Sequence, residues 1–208
     1  MNSDYNRYMF ITGLTGNYGM GKSFVLSLFR DLGAITIDSD RIVDGLLREG
    51  KVVSDMKKLL GEDVLDREGR LDKKAVAQRI FSDPASRRSV EALLHPLVLE
   101  RVDHLVQGVK DANRFVVVEI PLLFEGNYGD RFRKTMTVFT SEETALERLE
   151  AEGVPRREAL LRLNSQMPID RKKELADYII DNNGNMEETR ERVKELYNSL
   201  IKDMKKQN

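Results

Sequence analysis

The sequence lacks cysteine altogether and carries only two histidines, and both facts limit its chemistry. Without cysteine, disulfide bonds and thiolate metal sites are excluded. His95 and His104 have a spacing that matches no zinc motif. An excess of basic residues is also absent, because 34 lysines and arginines face 35 aspartates and glutamates, which gives a formal net charge of -1. This balance favours a small-molecule partner over a nucleic acid.

Long apolar runs are missing as well. No segment approaches the ~20 apolar residues of a membrane-spanning helix. The first residues, MNSDYNRYMF, lack the apolar core of a signal peptide. With 208 residues, 40% of them hydrophobic, the chain is long enough for one substantial domain with a buried core. We therefore expect a soluble, cytoplasmic protein without a membrane segment.

Short apolar strands alternate with amphipathic helices, and this order predicts a parallel, doubly wound α/β sheet. Residues 51–113 contain no convincing strand and show helical spacing instead. The pattern predicts that Gly50 closes a helix over residues 39–50. It also predicts that Pro96 kinks or splits a long helix over residues 84–109. The strand candidates are residues 8–14, 34–38, 114–125, 134–140 and 177–184.

Residues 16–23, GNYGMGKS, fit the phosphate-binding pattern G-x-x-x-x-G-K-[ST] between a strand candidate and a helix candidate. Glycines allow backbone N–H groups to surround an anion, and the following helix points its positive end at it. Lys22 is expected to reach the β- and γ-phosphates, and the Ser23 hydroxyl to bind Mg²⁺. A chance match is the alternative, but the strand before and the helix after argue against it. A dinucleotide fingerprint fails, because Phe24 stands where its last glycine is required.

Further motifs follow the phosphate-binding loop. They are GAITIDSD at 33–40, FSDP at 81–84, LLHP at 93–96, IPLLFE at 120–125, an R-x-x-x-Q segment at 162–166 and ADYIIDNNG at 176–184. The loop alone is generic, whereas IPLLFE and ADYIIDNNG in this order and spacing are specific. In these motifs the chain resembles the dephospho-CoA kinase family, from about Tyr8 to Leu200.

The resemblance implies an ATP- and Mg²⁺-dependent kinase that phosphorylates the ribose 3′-hydroxyl of dephospho-CoA, giving coenzyme A and ADP. It also implies a P-loop kinase-like core of five parallel strands, a helical acceptor-binding domain and a helical lid. The alternatives are another P-loop kinase of nucleosides, nucleotides or small molecules, and a P-loop binding module without turnover. The implied boundaries are one domain over 8–206, with a core at about 8–50, 114–141 and 176–206, an acceptor-binding insertion at 51–113 and a lid at 142–175.

Two aspartates follow the second strand candidate. On an extended backbone, Asp38 and Asp40 would point to the same face, at the carboxyl edge of the sheet where ligands bind. Helix capping by Asp40, worth about 1 kcal/mol, is an equal alternative on the residues alone. The resemblance implies that Asp40 is the general base and that Asp38 is a supporting carboxylate at the acceptor.

Glu119 ends the most apolar strand candidate, where P-loop proteins usually keep a carboxylate near the metal. The family commonly has aspartate at this position, so we expect contact with Mg²⁺ through water. Leu122, Leu123 and Phe124 follow. They either pack in the core or, as the resemblance implies, form an acceptor-binding wall with Glu125.

Three further residues have both a structural and a functional interpretation. His95 precedes Pro96 and is expected to shape a helix break, whereas the resemblance implies a contact with the acceptor. Asn182 and Gly184 follow the last strand candidate. They either form an ordinary turn or, as the resemblance implies, recognise the adenine of ATP.

Phosphoryl transfer needs positive charge on the migrating group, and arginine usually provides it. The resemblance implies that Arg148 binds ATP and that Arg162 is catalytic. At residues 152–153 the chain has EG where the family has a further arginine, and Arg156 or Arg157 is the candidate substitute. The predicted ATP-binding residues are Asn17, Tyr18, Gly19, Met20, Gly21, Lys22, Ser23, Phe24, Arg148, Asn182 and Gly184.

Overall fold

The structure is a computed structural model, and it describes residues 9–110 and 114–206. Its five strands are β1 Phe10–Thr15, β2 Ile35–Asp38, β3 Phe115–Glu119, β4 Lys134–Phe139 and β5 Tyr178–Asp181. They form one sheet in the order β2-β3-β1-β4-β5, and all four pairings are parallel. The predicted five-stranded parallel sheet is confirmed. The predicted start of the first strand and of the domain, at Tyr8, lies outside the described residues.

Helices connect the strands and complete the chain. Within the described residues they are α1 Lys22–Asp31, α2 Ser39–Leu46, α3 Gly50–Leu60, α4 Lys73–Ser82, α5 Pro84–Gln107, α6 Glu142–Ala151, α7 Arg156–Asn164, α8 Ile169–Leu175 and α9 Met186–Lys205. Short 3₁₀ turns lie at Glu62–Val64 and Gly129–Arg131. No helix in the described ranges is both long and apolar enough to cross a bilayer.

The chain divides into two compact units. The sheet unit contains the described residues up to Asp38 and from Val106 onward, and it includes all five strands. The helical unit is Ser39–Leu105, and its only described β-pairing is an isolated bridge between Leu65 and Leu71. The predicted insertion boundary at residue 51 falls inside α3, and the predicted end at residues 111–113 lies outside the described residues.

The core of the sheet unit forms because its central strands are apolar on both faces. All five residues of β3, FVVVE, are buried, as expected of a parallel strand that helices cover on both sides. The rings of Phe29 on α1 and Tyr197 on α9 meet the ring of Phe115 edge-on, with centroids 6.1 and 5.7 Å away. These contacts pack α1 and α9 against β3.

The predicted split of the helix at His95 and Pro96 is wrong, whereas the alternative, a kink at Pro96, stays a prediction. Helix α5 continues through the proline. Proline removes one backbone hydrogen bond, but one face of this helix is buried on both sides of it. The buried residues of that face recur every four positions, at Val90, Leu94, Val98 and Val102. Their packing offsets the lost hydrogen bond.

The predicted role of Gly50 is also wrong. Helix α2 already stops at Leu46, and Gly50 is the first residue of α3. The N–H groups of residues 47–49 bond to the carbonyls of the preceding turn, which closes α2 without a glycine. The following helix then forms around a buried face that consists of Val52, Met56 and Leu60.

Candidate active site

Residues 16–21 connect β1 to α1 and contain glycines that packing requires. Gly16 has a φ of 150° and Gly21 a φ of 86°, conformations that residues with a side chain rarely adopt. A Cβ atom on Gly16 would lie 2.6 Å from the carbonyl oxygen of Val138, and one on Gly21 would collide with Nδ2 of Asn182. The backbone of this loop therefore lies directly against neighbouring elements.

Helix α1 presents its amino end at this loop. The first N–H groups of any helix lack intrahelical partners, which suits this end for an anion, and the residue at the cap position of α1, Gly21, has no side chain that could cap them. The Lys22 ammonium donates to the carbonyl of Asn17 at 3.2 Å, so it lies over the loop. Ser23 is exposed in the first turn. The ring of Phe24 packs against the core, which leaves its backbone as the part able to meet phosphate.

Asn182, the residue that follows β5, supports the loop through its hydrogen bonds. Its side-chain amide donates to the carbonyl of Met20 at 2.9 Å, and its Oδ1 accepts from the Thr189 hydroxyl at 2.9 Å. Its backbone N–H donates to Phe139, and its carbonyl accepts from the Arg148 guanidinium at 2.9 Å. The structure thus gives Asn182 a role in shaping the loop. Its predicted contact with adenine stays a prediction, as does that of Gly184.

The chain after α7 contacts the loop from another side. The side-chain amide of Asn17 donates to the carbonyl of Met167 at 3.0 Å, and the N–H of Tyr18 donates to Oε1 of Gln166 at 2.8 Å. The guanidinium of Arg162 lies 4.8 Å from the centre of the Tyr18 ring. Tyr18 also packs against a small apolar cluster between α6 and α7, which consists of Leu146, Leu149, Ala159 and Leu163.

The four candidate arginines fall into two groups. Arg148 and Arg162 both lie at the phosphate-binding loop. Arg148 donates to the carbonyl of Asn182, which supports the loop, and Arg162 lies over the ring of Tyr18, which belongs to the loop. A Cβ atom on Gly21 would lie 3.8 Å from the Arg148 guanidinium. Arg162 also forms an ion pair with Glu158 at 2.5 Å. Arg156 pairs with two residues of α6, Glu143 at 2.6 Å and Glu150 at 3.2 Å, rather than with the loop, and Arg157 is exposed. The structure therefore brings the two arginines implied by the family pattern to the loop, and neither of the candidate substitutes.

Two of the predicted carboxylates end adjacent strands. Asp38 and Glu119 are paired in register at the carboxyl ends of β2 and β3, and Glu119 is only 1% exposed. The expectation that Asp38 and Asp40 share one face of an extended strand is wrong, because the chain turns helical at Ser39. Asp40 lies exposed within the first turn of α2, one residue past its start, rather than at the cap position.

The residues of the predicted acceptor wall differ in burial, and their role in acceptor binding stays a prediction. Leu123 is fully buried and packs near Gly13 of β1, in agreement with the core-packing alternative. Leu122 and Phe124 are partly buried. Phe124 lines a cavity of about 350 Å³ whose other walls come mainly from the chain around the starts of β4 and β5. Those walls are formed by Asn127, Gly129, Asp130, Phe132, Thr135, Leu175 and Asp177.

Glu125 and His95 have different surroundings. One carboxylate oxygen of Glu125 accepts hydrogen bonds from the Lys172 ammonium and from the N–H of Met167, both at 2.9 Å. His95 is half-buried on α5 in the helical unit. Their roles in acceptor binding stay predictions.

A divalent cation would find few protein ligands here. Among the described residues, no group of three or more acidic or histidine side chains could hold a metal. Mg²⁺ in phosphoryl-transfer sites is typically bound by one or two protein oxygens, with substrate phosphates and waters in the other positions. The exposed Ser23 hydroxyl and the carboxylate of Glu119 fit a site of that kind.

Comparison with known proteins decides the family. A profile of the dephospho-CoA kinase family matches residues 10–188. The dephospho-CoA kinase of Aquifex aeolicus is 34% identical over 92% of this chain and 97% of its own. That of Syntrophotalea carbinolica is 36% identical over 95% of both chains. The chain belongs to the dephospho-CoA kinase family.

Solved structures agree with this membership. The crystal structure of a Thermus thermophilus protein that is 34% identical superposes with a TM-score of 0.80, over 92% of this chain and 97% of that one. A shikimate kinase from Bacteroides thetaiotaomicron, at 16% identity and a TM-score of 0.51, covers 92% of this chain and 98% of its own. The second likeness concerns the fold alone and confirms a P-loop kinase architecture.

Sequence reasoning missed three residues that contact the phosphate-binding loop or the residues that support it. Gln166 ends the quoted R-x-x-x-Q segment and could have been found there, because only the arginine of that motif was assigned a role. Met167 acts through its backbone, which leaves no sequence signal. Lys172 lies in the charged run DRKKE, which predicts exposure, yet it is fully buried.

Proposed function

We propose that this chain transfers the γ-phosphoryl group of ATP to the ribose 3′-hydroxyl of dephospho-CoA, producing coenzyme A and ADP. This is the last step of coenzyme A biosynthesis. The observation that carries the proposal is the arrangement of Arg148 and Arg162 around the phosphate-binding loop, in a chain that matches the family over residues 10–188. A passive nucleotide binder needs no such charge on the transferring group.

The ATP phosphates would lie in the loop, against the amino end of α1. Lys22 would contact the β- and γ-phosphates in place of its present bond to the Asn17 carbonyl. Arg162 would stabilise the charge that spreads over the migrating phosphoryl group. Its position over the Tyr18 ring supports this role, because Tyr18 belongs to the loop itself.

Mg²⁺ is the metal that we propose for this site, with the Ser23 hydroxyl as a direct ligand and Glu119 in contact through water. When bound, the ion neutralises phosphate charge during transfer. We propose that the reaction takes place in the cytoplasm, where ATP is available.

Asp40 is the proposed general base, and Asp38 the supporting carboxylate at the acceptor. Asp40 would accept the proton of the 3′-hydroxyl as its oxygen attacks the γ-phosphorus. Its exposed carboxylate in the first turn of α2 is accessible to a substrate. This assignment derives from the family pattern at GAITIDSD.

The proposal is tested with purified protein, ATP, Mg²⁺ and a panel of acceptors, by following ADP release. The panel contains dephospho-CoA, adenosine, AMP and shikimate, and the Lys22→Ala variant serves as the blank. We expect dephospho-CoA to give the highest kcat/KM and a product heavier by one phosphoryl group at the 3′ position, read by mass spectrometry and phosphorus NMR. A tenfold preference for any other acceptor would refute the assignment in favour of another small-molecule kinase.

The Asp40→Asn variant tests the base. Asparagine retains the shape of the side chain but cannot take up the proton, and general bases contribute about 10²–10⁴-fold. We expect kcat to fall by roughly that factor, with the melting temperature unchanged. The affinity for ATP with Mg²⁺ is measured separately, because the variant also loses a negative charge. Turnover within a few-fold of the wild type would move the search to Asp38 or Glu119.

A further inference from the structure

Lys172 is the only lysine among the fully buried large side chains of the described residues. Its side chain is 0% exposed, although Arg171 and Glu174 on the same helix, α8, are exposed. Its ammonium donates to Oε1 of Glu125 at 2.9 Å and to the carbonyl of Pro121 at 2.8 Å. A buried charge is tolerated only when it is paired and hydrogen-bonded. The Lys172 ammonium has both a charged partner, the Glu125 carboxylate, and a neutral hydrogen-bond acceptor, the Pro121 carbonyl.

The partners of Lys172 lead to the phosphate-binding loop by two routes. Oε1 of Glu125 also accepts from the N–H of Met167, and the carbonyl of Met167 accepts from the side chain of Asn17. The carbonyl of Pro121 also accepts from the Thr15 hydroxyl at 3.0 Å, and Thr15 directly precedes the loop. The ammonium therefore lies where the chain after β3, the chain after α7 and the end of β1 converge.

The electrostatics agree with this geometry. Burial lowers the pKa of the Lys172 ammonium, while the Glu125 carboxylate acts in the opposite direction, and the charge of Lys22 lowers it further. The like charges of Lys22 and Lys172 therefore disfavour each other. The anionic phosphates of ATP would bring negative charge close to both lysines.

We infer that Lys172 is a positioning residue, which holds Glu125 and Pro121 so that residues 166–167 stay bonded to Asn17 and Tyr18 and keep the loop in its phosphate-binding shape. This inference rests on the proposed function, because it assigns the loop to ATP. Lys172 acts through Glu125 and Met167 and does not itself contact the phosphates. A purely structural lysine would affect the stability of the fold but not the affinity of the folded protein for ATP.

The test compares Lys172→Met with Lys173→Met. Methionine removes both hydrogen bonds of Lys172 at similar length. Lys173 is the matched control, because its ammonium pairs with Asp170 at 3.0 Å, away from Glu125. The readouts are the dissociation constant of a non-hydrolysable ATP analogue and kcat with dephospho-CoA, both at a temperature at which circular dichroism shows each variant folded.

We expect Lys172→Met to bind the analogue about tenfold more weakly and to lose roughly 10²-fold in kcat, since small misplacements of a site cost that much. Lys173→Met should stay within twofold of the wild type, and Lys172→Arg, which retains the charge and the donors, should recover part of the loss. Wild-type analogue affinity and kcat in folded Lys172→Met would overturn the inference.

Two further outcomes are decided by the same measurements. If Lys172→Met does not fold, the double variant Lys172→Met/Glu125→Leu, which leaves no unpaired buried carboxylate, replaces it. Weaker analogue binding by that variant supports the inference, and wild-type binding overturns it. If the wild type does not phosphorylate dephospho-CoA, the proposed function fails, and analogue binding by the variants still decides the role of Lys172.

Discussion

The phosphate-binding loop and the segment at residues 142–175 meet at one site but are held by different means. The loop owes its shape to glycines, whose conformations and close approach to Val138 and Asn182 no other residue could reproduce. The segment at 142–175 consists of three short helices, α6, α7 and α8, with a small apolar cluster of four buried residues. Hydrogen bonds to Asn17 and Tyr18 attach it to the loop, and one buried lysine attaches it to Glu125 and Pro121.

This difference teaches how each region should respond to substitution. A loop that depends on its backbone conformation should lose phosphate binding on any substitution that changes this conformation or replaces its lysine. A segment attached by side chains is altered only at the few residues that make the attachment, and charged neighbours on the same helices are replaceable. Substitutions at Lys22, Arg162 and Gly21 test this contrast in order of decreasing expected effect, and a substitution at Asp177, outside both regions, should have the smallest effect.

Lys22→Ala should have the largest effect. The lysine supplies charge to the transferring phosphoryl group, and loss of one such contact costs about 10²–10³-fold or more. We therefore expect turnover to be nearly abolished in a steady-state assay. The melting temperature should change little, because partly exposed side chains contribute little to stability. Near-normal turnover in a natively folded variant would remove the loop from the mechanism.

Arg162→Ala should lower kcat by roughly 10–10²-fold and weaken ATP binding less, because an arginine at the migrating group acts mainly in the transition state. Arg156→Ala is the matched control. That arginine pairs with Glu143 and Glu150, and we expect its variant to retain full activity. The reverse result, with Arg156→Ala inactive and Arg162→Ala active, would make Arg156 the functional arginine of the segment.

Gly21→Ala should weaken ATP binding by about tenfold. A side chain in a left-handed conformation costs about 1–2 kcal/mol, and this one would also collide with Asn182. Gly153→Ala is a close control, since Gly153 has nearly the same φ, 85°, and open space around its Cβ position. Isothermal titration with ATP should show normal affinity for the Gly153 variant. Equal losses in both variants would show that the strain of a side chain at positive φ, and not the position of Gly21 against Asn182, weakens binding.

Asp177→Asn should have the smallest effect and leave kcat within twofold, while it lowers the melting temperature by a few degrees. Asp177 follows α8 and accepts hydrogen bonds from the Lys134 ammonium at 2.7 Å and from the N–H and hydroxyl of Thr135. Burial raises the pKa of its carboxyl, but these hydrogen bonds outweigh it and hold the pKa below its usual value.

The sign of the pH dependence follows from that shift. A carboxylate with a lowered pKa stabilises the fold above its unfolded pKa of about 3.9, and this stabilisation is lost as the pH falls through the lower folded value. The difference in melting temperature between the wild type and Asp177→Asn should therefore shrink in acid. A difference that stays constant from neutral pH to pH 3 would show that the carboxylate charge contributes nothing.

The sequence by itself determined the parallel sheet, the phosphate-binding loop and the family. These features depend on local patterns, namely apolar strands between amphipathic helices, glycines at fixed offsets before Lys22 and Ser23, and ordered motifs such as IPLLFE. The residues at which the helices end were harder to predict from local patterns. Glycine and proline are both common at helix boundaries, which led to the predictions at Gly50 and Pro96. Instead, α3 begins at Gly50 and buries Val52, and α5 continues through Pro96 because its buried face extends on both sides of the proline.

Only the tertiary structure decided what each side chain near the loop contacts. Asn182 supports Met20, Glu125 accepts from Lys172 and Met167, and Phe124 lines a cavity with residues around the starts of β4 and β5. The partners are distant in the sequence, so no local pattern records them. Lys172 and Lys173 are the same residue type in adjacent positions. The rotation of about 100° per residue around a helix buries the first completely and leaves the second partly exposed.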